Sequence, residues 1–220
     1  MAIMYKKNML KINEIYASIQ GESSHTGLPC VFVRLTGCNL RCSWCDTAYA
    51  FYEGKNLSIE ETLEKVDSFS LPLAEITGGE PLMQDDVYPL MGALLEKGYK
   101  VMLETGGSLP INKVPEKVIK ILDIKCPGSG EEKKNHLENL KFLAPHDEVK
   151  FVLLDRADYE WSRDLLQKCE LPSSIQVLFS PVYDKLNLKD LSEWILEDRL
   201  PVRLQTQLHK VIWSKNAIGV

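Results

Sequence analysis

The sequence predicts an α/β fold with a mostly parallel sheet. Short apolar, β-branched runs alternate several times with amphipathic stretches, a pattern that implies parallel strands joined by right-handed crossovers. The unusual residues gather at the carboxyl ends of the strand candidates, where ligands collect in such sheets. At 220 residues, with no internal repeat and no Pro-, Gly- or Ser-rich linker, the chain reads as one domain over 1–220.

In chain order, a strand is expected around 11–19 and then at 31–37, 73–79, 100–105, 120–126, 148–154, 175–181 and 202–206. Helical patterns lie between them at 58–68, 84–97, 131–142, 157–168 and 188–197. Ser58 precedes Glu61 by three, a capping-box spacing ahead of Leu63 and Val66. Asp85 and Asp86 suit the start of the next helix, and Gly98 suits its end. The strand ends carry Gly37-Cys38, Thr77-Gly78-Gly79-Glu80-Pro81, Glu104-Thr105-Gly106-Gly107 and Lys125-Cys126-Pro127.

Composition excludes several classes. The chain is 45% hydrophobic and 26% charged, which is ordinary globular usage and not that of a disordered or collagen-like chain. A net charge of −5 with no Lys/Arg block argues against nucleic acid as a partner. No stretch approaches the roughly 18–20 apolar residues of a membrane span. The N-terminal segment, broken by Lys6, Lys7 and Lys11, lacks the apolar core of a secretory signal. A cytoplasmic, reducing setting is therefore expected, in which six cysteines serve as ligands or buried thiols.

Cys38, Cys42 and Cys45 form a C-x3-C-x2-C run in one short loop. Soft thiolates at that density select zinc or an iron–sulfur cluster. A structural zinc site wants a fourth Cys or His, and His25 is the only histidine nearby. A cubane cluster held by three cysteines leaves one iron open to a ligand. Cys30, Cys126 and Cys169 read as buried thiols.

The cysteine run, with aromatic Trp44 before its last member, resembles the signature of the radical S-adenosylmethionine enzymes, and Gly78-Gly79-Glu80-Pro81 resembles their GGEP motif. The flanks narrow the likeness. Ile19-Gln20-Gly21-Glu22, Arg34, Asp46-Thr47, the strand ending at Lys125 and the 205–210 stretch around His209 together resemble the 7-carboxy-7-deazaguanine synthase family along essentially the whole chain. That resemblance implies an incomplete (β/α) barrel. It also implies a lyase that contracts 6-carboxy-5,6,7,8-tetrahydropterin with loss of ammonia, through hydrogen abstraction by a 5′-deoxyadenosyl radical, on the route to queuosine and other deazapurines. The implied cofactors are a 4Fe–4S cluster, S-adenosylmethionine and Mg2+. The implied partners are an electron donor such as flavodoxin and a second copy of the chain in a homodimer.

Residue by residue, the resemblance assigns the cluster to Cys38, Cys42 and Cys45 and magnesium to the hydroxyl of Thr47, with Asp46 read as structural. Substrate contacts fall on Ile19, Gln20, Gly21, Glu22, Arg34, Thr77 and His209. Cofactor contacts fall on Trp44, Gly79, Glu80, Glu104, Asp123 and Lys125. The chemistry agrees, since an arginine fork suits a carboxylate and amide or carboxylate oxygens suit the N–H-rich edge of a pterin. Many members read Ser-Pro-Lys where this chain has Asp123-Ile124-Lys125, so only the lysine matches there. The chain also continues to Val220, past the point where some members end. Two other readings compete: a small activase that installs a glycyl radical on a protein, and a non-catalytic zinc module.

Overall fold

A computed structural model describes residues 8–169, 171–214 and 217–220. The reading that used Lys6 and Lys7 falls outside them. The chain builds, in order, β1 (Met9–Ile19), β2 (Pro29–Leu35), β3 (Lys55–Ser58), α1 (Ile59–Asp67), β4 (Leu73–Gly78), α2 (Val87–Glu96), β5 (Lys100–Thr105), β6 (Ile119–Ile124), β7 (Glu148–Leu153), α3 (Arg156–Lys168), β8 (Gln176–Pro181), α4 (Leu188–Glu197), β9 (Arg203–Leu204) and α5 (Leu208–Ile212). The sheet order is β3-β1-β2-β4-β5-β6-β7-β8-β9, and the sheet does not close on itself. β1 pairs antiparallel with β2 and β3, and every later pairing is parallel. The expected α/β class and open barrel are what the chain forms. No helix among the described residues is long and apolar enough to cross a membrane.

The central strands are buried on both faces, as strands of a parallel sheet covered on both sides are, and all six residues of β4 and of β6 are buried. One face packs on the helices. Val31, Val33, Ala74, Ile76, Val101, Leu103, Leu122 and Phe151 join Val66 of α1, Leu90 and Leu94 of α2, Tyr159 of α3 and Leu191 of α4 in one core. Each buried Val, Leu, Ile or Phe side chain among them contributes about 1.5–3 kcal/mol of hydrophobic stabilisation.

The concave face changes character along the strands. Its N-terminal half is an apolar floor of Cys30, Phe32, Leu73, Met102, Ile119 and Ile121. Strand periodicity of two then places Arg34, Glu75, Thr77, Glu104 and Asp123 on the same face, toward the carboxyl ends. Sequence alternation thus stacks a charged upper layer on an apolar base.

The capping box forms as expected: Glu61 N–H donates to Ser58 Oγ at 3.2 Å, and Ser58 N–H donates to Glu61 Oε2 at 2.7 Å. Gly98 (φ 90°) ends α2. The helix expected over 131–142 does not form. Two 3-10 segments, Glu132–Lys134 and Leu137–Phe142, lie there instead. Their side chains serve distant backbone. Asn135 brackets Lys125, accepting from its N–H and donating to its carbonyl, each at 2.9 Å. Asn139 bonds Gly107, Leu109 and Ile111. These long-range bonds pin the segment across the ends of β5 and β6 and outcompete a continuous helical ladder.

Candidate active site

The cysteine loop leaves β2 through Gly37, whose φ of 100° lies in the left-handed region that glycine tolerates. Arg41 N–H donates to Glu131 Oε1 at 2.7 Å and Ser43 N–H to Ser129 O at 3.0 Å, tying the loop to the turn after β6. The loop is also seated on the glycine pair after β4. Glu80 N–H donates to Gly37 O at 2.8 Å, and a Cβ on Gly79 would fall 1.8 Å from that same carbonyl oxygen. Gly79 is thus required by protein backbone as well as being open to a ligand.

Cys38, Cys42 and Cys45 all line one cavity of about 870 Å³ over the carboxyl ends of the strands. That volume lies at the upper end of ordinary ligand sites of about 300–1,000 Å³. Burial raises the pKa of all three thiols, and the Lys125 ammonium opposes the shift in each. No group of three His, Cys, Asp or Glu among the described residues is arranged to hold a single metal ion. Three thiols spaced around one open cavity, beside a lysine, suit a multi-iron cluster better than closed tetrahedral zinc. Cys30 and Cys126 are fully buried, and their thiols are pushed far up by burial.

On the cofactor side, Trp44, Gly79, Glu104, Asp123 and Lys125 line the cavity. Asp123 Oδ2 pairs with Lys125 Nζ at 2.8 Å, while its Oδ1 is buried and has no hydrogen-bond partner. A buried carboxylate oxygen left unpaired costs about 1–3 kcal/mol unless a ligand donor meets it, so Asp123 fits a cofactor contact. Glu80 is placed differently. It is fully buried and absent from the lining, and it accepts from Leu82 N–H (3.0 Å), Thr105 Oγ1 (2.9 Å) and Gly106 N–H (2.7 Å). Its carboxylate buckles the end of β4 to the end of β5. Thr47 lines the cavity and donates to Asp46 Oδ1 at 2.9 Å, which leaves its own oxygen lone pairs available to a cation.

On the substrate side, Ile19, Gln20, Gly21, Glu22, Arg34, Thr77 and His209 all line the same cavity. Three of them are occupied in ways the sequence did not signal. The Gln20 amide bonds Glu75, and its oxygen accepts from Glu22 N–H at 3.1 Å. Arg34 donates to Glu14 Oε1 (2.7 Å), Tyr16 Oη (2.8 Å) and Gly78 O (3.3 Å). His209 packs directly on Gly21, where a Cβ would lie 2.2 Å from its Nδ1, and burial lowers its pKa toward the neutral imidazole. Leu208 N–H donates to Gly21 O at 2.9 Å, so the C-terminal segment docks on the β1–β2 loop.

Sequence reading missed the charged group between these two sides. Lys150 of β7, 5% exposed, reaches Glu22 at 2.8 Å, Asp123 at 3.7 Å and Glu104 still closer. Glu75, 6% exposed, stands beside them. Burial pushes Glu75 up to about 7 and Glu104 up to about 8. Burial also works against ionised Glu22, but Lys150 and His209 outweigh it and hold Glu22 down to about 2. Lys150 itself stays charged, because Glu104, Glu22 and Asp123 offset its desolvation. A charged residue inside an otherwise apolar strand was the available signal for both Lys150 and Glu75. Asp46, read as structural, pairs with Lys210, whose Nζ lies 2.6 Å from its Oδ2.

Residues 32–127 match the model of the Radical SAM superfamily. A 7-carboxy-7-deazaguanine synthase from Koribacter versatilis (strain Ellin345) is 47% identical over 226 residues, covering 96% of this chain and 100% of the relative. The chain belongs to the 7-carboxy-7-deazaguanine synthase family. A second member of that family, from Chlorobaculum tepidum, is 44% identical over 214 residues, covering 96% of this chain and 97% of its own. The fold agrees: the crystal structure of QueE from Escherichia coli superposes with a TM-score of 0.76 at 23% identity, covering 91% of this chain and 95% of the other. The family's barrel is the open sheet described above, and its radical chemistry implies a 4Fe–4S cluster and S-adenosylmethionine as cofactors.

Proposed function

We propose that this chain converts 6-carboxy-5,6,7,8-tetrahydropterin to 7-carboxy-7-deazaguanine with loss of ammonia, as a radical S-adenosylmethionine lyase. The observation that carries the reading is the 47% identity to a 7-carboxy-7-deazaguanine synthase across nearly the whole chain. It is supported by the cavity that joins the three cysteines to Arg34, Glu22 and His209. When bound, the reduced cluster and S-adenosylmethionine supply a 5′-deoxyadenosyl radical that takes hydrogen from substrate.

In this reading Cys38, Cys42 and Cys45 hold the cluster. Asp123 offers its free oxygen to a donor on S-adenosylmethionine, with Lys125, Glu104, Gly79 and Trp44 around it. Arg34, kept in place by Glu14 and Tyr16, presents its remaining N–H groups to the substrate carboxylate. Ionised Glu22 accepts from the pterin N–H edge, and neutral His209 can donate or accept beside it. Ile19, Gln20, Gly21 and Thr77 complete the wall. Thr47 supplies one hard oxygen to Mg2+, which ordinarily takes its other ligands from water and substrate. We further propose a cytoplasmic homodimer that draws electrons from a donor such as flavodoxin.

The test is an anaerobic incubation of reconstituted protein with reductant, Mg2+, S-adenosylmethionine and carboxytetrahydropterin, read by mass spectrometry. A product lighter than substrate by ammonia is expected. Abundant 5′-deoxyadenosine with intact pterin would overturn the substrate. Zinc without iron or sulfide after reconstitution would overturn the chemistry.

A further inference from the structure

Glu22 and Glu104 come from unconnected elements, the β1–β2 loop and the end of β5, yet a single ammonium bridges them. We propose that Lys150 is a positioning residue for the pterin, fixing the Glu22 carboxylate ionised and aimed into the cavity as an acceptor for an N–H-rich edge. The inference rests on the substrate reading above and adds a residue to it.

The geometry carries the argument. Lys150 sits at the middle of β7 on the concave face, with a 6% exposed side chain, so its charge is met mainly by neighbouring side chains. The groups around it are Glu22 from the loop, Glu75 from β4, Glu104 from β5, Asp123 from β6, Lys125 just after it, and His209 from α5. Four carboxylates therefore share two ammonium groups. Asp123 has Lys125 as a second cation at 2.8 Å. Gln20 serves Glu75, and no cation among the described residues lies within ion-pair distance of Glu75. Glu22 keeps Gln207 and Gln205, which are neutral, at 2.9 and 3.3 Å. For both Glu22 and Glu104, Lys150 is the sole cation within ion-pair distance among the described residues. Removing it leaves the half-buried Glu22 carboxylate with no cation within ion-pair distance among the described residues, and such a carboxylate takes up a proton more readily. A protonated Glu22 presents a donor where the pterin edge also presents donors, which turns an attraction into a clash.

Lys150→Met keeps an unbranched side chain, one atom shorter, without its charge, and Lys150→Arg keeps the charge. The reconstituted holoenzymes are compared by anaerobic calorimetry. Lys150→Met should weaken carboxytetrahydropterin binding by about 100-fold, the usual order for stripping the partner from a buried charge. It should weaken S-adenosylmethionine binding by less than about 10-fold, because Asp123 retains Lys125. Lys150→Arg should recover most of the loss. Equal losses of both ligands without rescue by arginine would mark a merely structural lysine and overturn the proposal, as would wild-type pterin affinity in Lys150→Met. A ligand-free measurement separates this from the substrate reading. At mildly acid pH, infrared spectra of Lys150→Met should show more protonated-carboxyl absorption than wild type, and Lys150→Arg should not. If wild type binds no pterin, the substrate reading fails, and the infrared comparison still decides whether Lys150 keeps Glu22 ionised. Identical carboxyl bands in wild type and Lys150→Met would overturn it.

Discussion

Arg34 Nε donates to Glu14 Oε1 at 2.7 Å, so the arginine that lines the cavity is fixed by a carboxylate on the neighbouring strand before any ligand arrives. Tyr49 Oη donates to the same Glu14 oxygen at 2.7 Å, and the guanidinium carbon lies 5.9 Å from the ring centroids of both Tyr16 and Tyr49. The planar fork is thus oriented on several sides, leaving its outer N–H groups for a planar anion. Arg34→Lys should retain the charge but lose the fork. We expect the KM for carboxytetrahydropterin to rise by roughly 10–100-fold, with S-adenosylmethionine cleavage in the absence of substrate unchanged. Steady-state kinetics decide it: an unchanged KM would leave Arg34 a structural ion pair.

Gly79 and Gly92 should respond oppositely to alanine. A Cβ at Gly79 meets Gly37 O at 1.8 Å and Gly37 C at 2.5 Å, both backbone atoms that cannot step aside. Gly79→Ala must displace the turn that carries Cys38, at a cost of about 1–3 kcal/mol, and iron incorporation should fall with stability. Gly92 lies within α2, and a Cβ there meets nothing within 4 Å. Gly92→Ala should stabilise by about 0.4–1 kcal/mol. Denaturant melts and iron counts on the two variants test the pair. Equal stability of the two would show that the turn after β4 yields freely.

How far the sequence was readable follows from the range of the forces involved. The strands of the sheet centre and the capping box at Ser58 are set by local periodicity and neighbours three residues apart, and they were legible. The three-cysteine loop was legible for the same reason. The segment over 131–142 was not, because Asn135 and Asn139 bond backbone at Lys125 and at 107–111, and no local pattern records such partners. Lys150 escaped notice because its partners Glu22 and Glu104 lie 128 and 46 residues away. Glu80 was read from its motif as a cofactor ligand, whereas the donors it meets are Leu82, Thr105 and Gly106.

Glu80→Gln tests that last placement. The carboxylate accepts from three donors, whereas an amide offers a single oxygen and brings its own N–H2 into a site of donors. Burying that mismatch should cost about 1–3 kcal/mol of stability. Its effect on S-adenosylmethionine affinity should be secondary, following displacement of the Gly106 turn. Parallel melts and calorimetry separate the cases. Full stability with lost cofactor binding would make Glu80 a direct contact.

Acidity of the buried carboxylates makes stability depend on pH in a definite direction. Glu75 and Glu104 release their protons at about 7 and about 8 in the folded protein, against an ordinary value of 4.5. Between those limits the folded state holds more protons than the unfolded one, so stability falls as pH rises. Their contribution is complete below pH 4.5, declines through 7 and 8, and is gone above them. Glu22 acts in reverse. Held to about 2, it adds stability above pH 4.5 that is lost as pH falls toward 2. Urea unfolding from pH 5 to pH 9 should therefore show a decline, with a slope of up to about 1.4 kcal/mol per pH unit for each titrating group. Glu75→Gln keeps an oxygen to accept from the Gln20 amide and removes the titration. It should about halve the slope between pH 5 and 7, where Glu104 contributes as well, and leave the Glu104 contribution in place up to about 8. A Glu75→Gln curve parallel to wild type would show that Glu75 is ionised throughout and that the proton of the cluster resides elsewhere.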